Sequence, residues 1–134
     1  MNIAGVADTH VAVWYVFDDR RLSKQANAFI DRAESTGNRI AVSSISLAEI
    51  VYLVEKGRVP APTYDEVRRA LADPAGVLVE APFTADVVES MRLVPRDAVP
   101  DMPDRIIAAT AIHLGVPVIS RDGRIRASSV ETIW

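Results

Sequence analysis

The chain has no cysteine among its 134 residues, which excludes disulfides and thiolate-ligated metals and fits a reducing compartment. It shows no basic leader and no apolar run of membrane-spanning length, so a cytoplasmic protein with no membrane partner is expected. Nor is there an excess of positive charge. Fifteen Lys and Arg stand against eighteen Asp and Glu, for a net charge of −3 and a pI near 5.3. A module that merely coats nucleic acid is usually basic, so that class is disfavoured. An enzyme that gathers carboxylates and meets phosphates through bound cations is not.

Several chemical signatures are missing too. Neither a Gly-x-Gly-x-x-Gly nor a Walker-type loop occurs, which leaves nucleotide-cofactor binding without support. The serines lack a Gly-x-Ser-x-Gly elbow. His10 and His113 do not share metal-ligand spacing, and His113, near a helix end, reads as structural. Repeats, low-complexity tracts and linkers are absent. What is present is a globular composition, 49% hydrophobic and 25% charged, at the length of one domain that can bury a core. Residues 1–134 are read as that single domain.

Strand-like and helix-like segments alternate. Strands are expected at 3–7, 39–42, 77–79 and 116–120, with a short fifth at 130–133. Helices are expected at 11–17, at 24–34 behind a Ser23 cap, from Ser43 or Ser44 to about Gly57, at 64–71, at 85–93 behind Thr84, and at 104–114 before Gly115. Pro60-Ala-Pro62 and the Pro-rich stretch from Pro95 to Pro103 interrupt the pattern. Strands that are continuously apolar, alternating with helices, predict a parallel sheet covered on both faces. Ligands of such sheets sit beyond the carboxyl ends of the strands, where Asp8 and Asp122 both fall.

Four carboxylates stand out, each with an ordinary structural explanation beside the functional one. Asp8 is the only formally charged side chain in the first seventeen residues, and it either caps the next helix or serves a site. Glu49 is the sole charge in Ile45-Ser-Leu-Ala-Glu-Ile-Val-Tyr-Leu-Val54, a helix apolar nearly all round and therefore expected to be buried. Leu47, Val51 and Val54 form its apolar stripe, and Glu49 points away from it. The alternative is a solvent-exposed glutamate. Asp104 suits the positive end of a helix dipole, but Ile107, Ala108 and Ala111 place it at the head of the core-facing stripe. Asp101, three residues earlier, is the expected N-cap, with metal ligation as its alternative role. Asp122 begins an Asp-Gly turn with Arg121, Arg124 and Arg126 nearby.

Taken together, the four sit at strand ends or helix starts that can meet at one edge of a parallel sheet. Carboxylates crowded without basic partners repel one another, and hard divalent cations such as Mg²⁺ or Mn²⁺ relieve the repulsion. The natural reaction for such a cluster is phosphodiester hydrolysis. Thr9 and Ser120 are candidates to support the carboxylates by hydrogen bonding. Arg105, Arg121 and Arg124 either contact phosphate, or pair with the acids or stay exposed to solvent.

Asp8-Thr-His, Ser43-Ser-Ile-Ser-Leu-Ala-Glu49, Pro103-Asp-Arg-Ile-Ile-Ala-Ala-Thr-Ala111 and Val118-Ile-Ser-Arg-Asp122 together resemble the PIN-domain nucleases, and among them the VapC-type toxins of bacterial toxin–antitoxin pairs. The likeness runs from Asp8 to Asp122, and the segment after Pro103 is its most specific part. It implies a three-layer α/β/α fold around a mostly parallel sheet of four to five strands. It also implies a Mg²⁺- or Mn²⁺-dependent endoribonuclease with Asp8, Glu49, Asp104 and Asp122 as the metal-binding and catalytic acids. An RNA substrate, a small VapB-like antitoxin that blocks the site, and a homodimer follow from the same resemblance. The alternatives are a housekeeping nuclease of RNA maturation and a non-catalytic interaction domain whose acids only cap helices.

Overall fold

The computed structural model describes residues 2–134. Its sheet has five strands, β1 (Ile3–Ala7), β2 (Arg39–Ser43), β3 (Leu78–Ala81), β4 (Val118–Ile119) and β5 (Thr132–Ile133), in the order β3-β2-β1-β4-β5. Every neighbouring pair is parallel, so the expected mostly parallel sheet is parallel throughout.

The apolar strands make sense because both faces are covered. On one face Val6, Ala41 and Val118 pack with α5 (Ala85–Ser90), α6 (Met102–Leu114) and α7 (Gly123–Ala127). On the other, Ala7, Ile40, Val42 and Ile119 pack with α1 (Thr9–Val16), α2 (Lys24–Ser35) and the end of α4 (Thr63–Ala72). Successive strand residues thus feed opposite cores, as a pleat requires. The remaining helix, α3 (Ser44–Glu55), packs against α1, α4 and α6. Among the described residues, no helix is long and apolar enough to cross a membrane.

The order of the strands explains where a site can form. From central β1 the chain moves to β2 and β3 on one side, then returns to β4 and β5 on the other. Beyond the carboxyl ends of β1 and β4 the connections diverge and leave a crevice. Asp8 and Ser120 follow those two strands directly.

Several boundaries differ from expectation. Helix α6 starts at Met102 rather than at 104, because Asp101 caps it and Pro103 occupies its first turn. The expected helix at 85–93 is α5 followed by a 3-10 turn at Met91–Leu93. Helix α7 follows Asp122 where only a turn was expected, since five residues are too few for a periodic signal. The apolar stripe assigned to α3 also needs correction. Ser46 and Ile50 are its buried residues, whereas Val51 is 38% and Tyr52 54% exposed. A helix apolar on every side carries no periodicity from which to choose the inward face.

Candidate active site

Asp8 occupies the step from β1 into α1. Its backbone N–H donates to the Ile119 carbonyl at 3.1 Å, which ties it to β4. Its Oδ1 accepts from the Val11 N–H at 2.9 Å, and its Oδ2 accepts from the Ser120 hydroxyl. The residue is 8% exposed. Burial pushes its carboxyl above the usual carboxylate range, while the bonds from Ser120 and Val11 pull the other way. Capping is therefore one role of Asp8, but it uses only one carboxylate oxygen.

Ser120, fully buried, also accepts the Asp122 N–H at 2.9 Å. Asp122 caps α7, with Oδ1 accepting from the N–H groups of Arg124 at 2.9 Å and Ile125 at 3.1 Å. On the other wall, Thr9 donates to Glu49 Oε1 and lies in hydrogen-bonding contact with Ser46 Oγ at 2.9 Å. Ser46 and Glu49 are three residues apart, so one face of α3 meets the start of α1. That anchor turns Glu49 inward rather than to solvent.

Asp104 lies in the first turn of α6, where its N–H donates to Asp101 Oδ2 at 3.2 Å. Asp101 is thus the N-cap expected of it. The stripe that Asp104 heads is buried as expected, with Ile107, Ala108 and Ala111 in the core. Unlike Asp8, Asp101 and Asp122, Asp104 caps nothing, and among the described residues its carboxylate makes no hydrogen bond. Its pKa is pushed up to about 7, first by burial and then by the charges of Asp101, Asp122, Glu49 and Asp8.

These elements enclose a pocket of about 340 Å³ lined by Asp8, Glu49, Asp101, Asp104 and Asp122, together with Thr9, His10, Trp14 and Arg121. All four sequence-singled acids therefore face one space, along with the cap Asp101. Trp14, buried to 3% exposure, was not singled out in the sequence, although its position four residues after His10 puts both on one face of α1. Its ring lies 5.7 Å from that of His10 and 4.8 Å from the Arg121 guanidinium carbon.

The three arginines behave differently from one another. Arg121 lines the pocket. Arg124 is exposed on α7. Arg105 belongs to neither expected class, because its Nε donates to the Val94 carbonyl and its Nη2 to the Met91 carbonyl, each at 2.9 Å. One position after Asp104, it is rotated about 100° around the helix and faces the 3-10 turn instead of the pocket. The three ion pairs among the described residues, Arg21–Asp19, Arg69–Glu66 and Arg92–Glu89, include none of the pocket acids.

Among the described residues, no three acids or histidines converge as a ready-made metal cage. The donor set still fits Mg²⁺ or Mn²⁺. It is all oxygen, it carries excess negative charge, and Asp104 is a carboxylate with no protein partner. Mg²⁺ in particular is held through one or two carboxylates with water and substrate phosphate, and does not need a protein cage.

Comparison with known proteins gives a consistent result. The family model described as PIN domain matches residues 6–129. Ribonuclease VapC22 of Mycobacterium tuberculosis (strain ATCC 25618 / H37Rv) is 31% identical over 120 residues, spanning 90% of this chain and 88% of that protein. Among solved structures, VapBC2 from Rickettsia felis, bound to a DNA fragment from its promoter, superposes with a TM-score of 0.71 at 17% identity over 97% of both chains. A toxin–antitoxin complex from Klebsiella pneumoniae reaches a TM-score of 0.63 at 22% identity, over 98% of this chain and 97% of that one. At those identities the structural likeness speaks for the fold.

Proposed function

The chain belongs to the PIN domain family, and from that premise we propose that it is a metal-dependent endoribonuclease, the toxin of a toxin–antitoxin pair. The observation that carries the reading is Asp104. A half-buried carboxylate with no hydrogen bond among the described residues, crowded by four other acids until its pKa reaches about 7, costs stability and serves no capping role.

In this reading Asp8, Glu49, Asp104 and Asp122 hold Mg²⁺ or Mn²⁺. The ion supplies the positive charge that admits a phosphodiester to an acidic pocket and makes water a better nucleophile. The rest falls to the chain itself. Ser120 and the Val11 N–H hold the Asp8 carboxylate in one orientation, and Thr9 does the same for Glu49. Asp122 is fixed by the α7 cap. Arg121, steadied over Trp14, offers a guanidinium to a phosphate oxygen at the pocket wall.

The remaining expectations belong to the same proposal. Residues 1–134 act as one nuclease unit in the cytoplasm, on RNA, and a VapB-like antitoxin covers the site. Support for the antitoxin comes from the relatives, which are toxin–antitoxin complexes. The exposed apolar residues of α3, Val51 and Tyr52, support a homodimer by offering a face with no cover in one chain. The test is RNA cleavage by the purified chain with Mg²⁺, with EDTA and with Asp104→Asn. Cleavage that persists in EDTA, or in the variant, refutes the reading.

A further inference from the structure

A second hollow, of about 560 Å³, opens directly from the acidic pocket and shares His10, Trp14 and Glu49 with it. Its walls change character along its length. Beyond Trp14 they are formed by apolar Phe17 and Leu53, by cationic Arg21 and Arg58, and by Asp19, whose carboxylate is paired with Arg21. Phe17 ends α1 and is 45% exposed although the core lies within reach of its neighbours. Arg58 is carried out past Gly57, whose φ of +70° turns the chain at the end of α3. Its backbone is fixed by a 2.9 Å bond to the Leu53 carbonyl, and its guanidinium has no partner among the described residues. Arg21 is less free, since Asp19 takes two of its N–H groups, but its guanidinium carbon lies 5.3 Å from the Trp14 ring. Trp14 therefore carries one arginine over each hollow, Arg121 on the acidic side and Arg21 on the other.

We propose that this trough seats the nucleotide next to the scissile phosphate of a single-stranded RNA, with its base against Phe17 and Leu53 and its phosphate on Arg58. The proposal rests on the nuclease reading of the acidic pocket and specifies how that pocket receives substrate. A polynucleotide cut in the pocket must leave it on both sides, and the trough adjoins the pocket at His10, Trp14 and Glu49. Charge agrees with the order of groups along such a strand. The acids face the phosphate that arrives with metal ions, whereas the adjacent phosphate, which has none, meets an arginine. An apolar wall with an exposed aromatic ring suits the flat face of a base of any sequence. Bases paired in an A-form helix cannot present that face, so the substrate here is unpaired.

The test uses the full chain carrying Asp104→Asn, so that RNA is bound and not consumed, and a short fluorescein-labelled single-stranded oligoribonucleotide of mixed sequence. Adding Phe17→Ala should weaken binding by about five-fold or more, the effect of one lost stack. Adding Arg58→Ala should reduce the slope of affinity against salt by about one phosphate contact, which a merely structural change would not do. Phe83→Ala, an exposed aromatic outside the trough, serves as the control and should change neither. Unchanged affinity and slope in both trough variants overturn the proposal. So does a result in which the trough variants keep RNA but lose the co-expressed antitoxin, since the trough is then a protein-binding surface. If the chain with Asp104 intact cuts no RNA while the trough variants still lose oligonucleotide, the trough is an RNA-binding surface but the nuclease reading fails, and with it the trough's place beside a scissile phosphate.

Discussion

Ser120 donates its hydroxyl proton to Asp8 across 112 positions of sequence, and the same oxygen accepts the backbone N–H of Asp122. A single buried hydroxyl thus joins the residue after β1 to the loop after β4 and fixes two of the five pocket acids together. The pleat makes this possible, since parallel β1 and β4 end side by side with Ala7 opposite Ile119.

Replacing Ser120 by alanine should therefore cost more than one hydrogen bond. Asp8 loses a donor while remaining buried, which raises its pKa further and leaves it poorly placed for a metal. Metal affinity or cleavage should fall by about 10- to 100-fold. Ser120→Thr keeps the hydroxyl and should recover part of the loss. Calorimetric Mg²⁺ titration of the two variants checks both expectations.

Asp104 gives a pH dependence with a definite sign. Below pH 3.8 the residue is protonated in folded and unfolded chains alike. Between there and about 7, the folded chain keeps a proton that the unfolded chain has released. Stability without metal should therefore fall as pH rises through that window, and Asp8, shifted in the same direction, adds to the effect. Mg²⁺ should offset the loss above pH 7 by binding only the folded state. Asp104→Asn should raise the metal-free stability at pH 8 and remove most of the response to Mg²⁺. Urea midpoints at pH 5 and pH 8, in EDTA and in Mg²⁺, read all of this.

Arg105 is expected to matter for stability and not for chemistry. Its guanidinium holds the carbonyls of Val94 and Met91, so Arg105→Ala should lose about 1–3 kcal/mol of unfolding free energy. Cleavage per folded molecule should stay unchanged. A large loss of cleavage with intact stability would return Arg105 to the RNA surface.

The outer face of α3 supplies a test of assembly. Tyr52→Asp places a charge on an exposed ring position and should leave the fold intact while converting a dimer to monomers in sedimentation equilibrium. A variant that sediments as the parent chain does would move the interface elsewhere.

Much of this architecture could be read from residue types in order. The continuously apolar strands announced the parallel sheet, and Asp8 and Asp122 at their carboxyl ends pointed to the edge where the acids meet. Asp101 is the cap expected of it, whereas Asp122, read only as the start of a turn, caps a short helix. The inward face of α3 could not be read, since Leu47, Ile50, Val51 and Leu53 spread apolar groups around the helix and only packing against α1, α4 and α6 selects one. Arg105 was equally illegible. Its role depends on two carbonyls more than ten residues earlier, which no local pattern marks. Trp14 shares a face of α1 with His10, which its spacing allowed, but the Arg121 guanidinium over its ring comes from the far end of the chain and has no local signature.

The central claim is that the acid cluster cuts RNA. Its most direct test is mapping RNA ends in a bacterial host after induction of the wild-type chain or Asp8→Asn, an exchange that keeps a helix cap and removes the charge. New, discrete RNA ends are expected with the wild type and none with the variant at equal expression. Identical ends in both, or none in either, would contradict the claim.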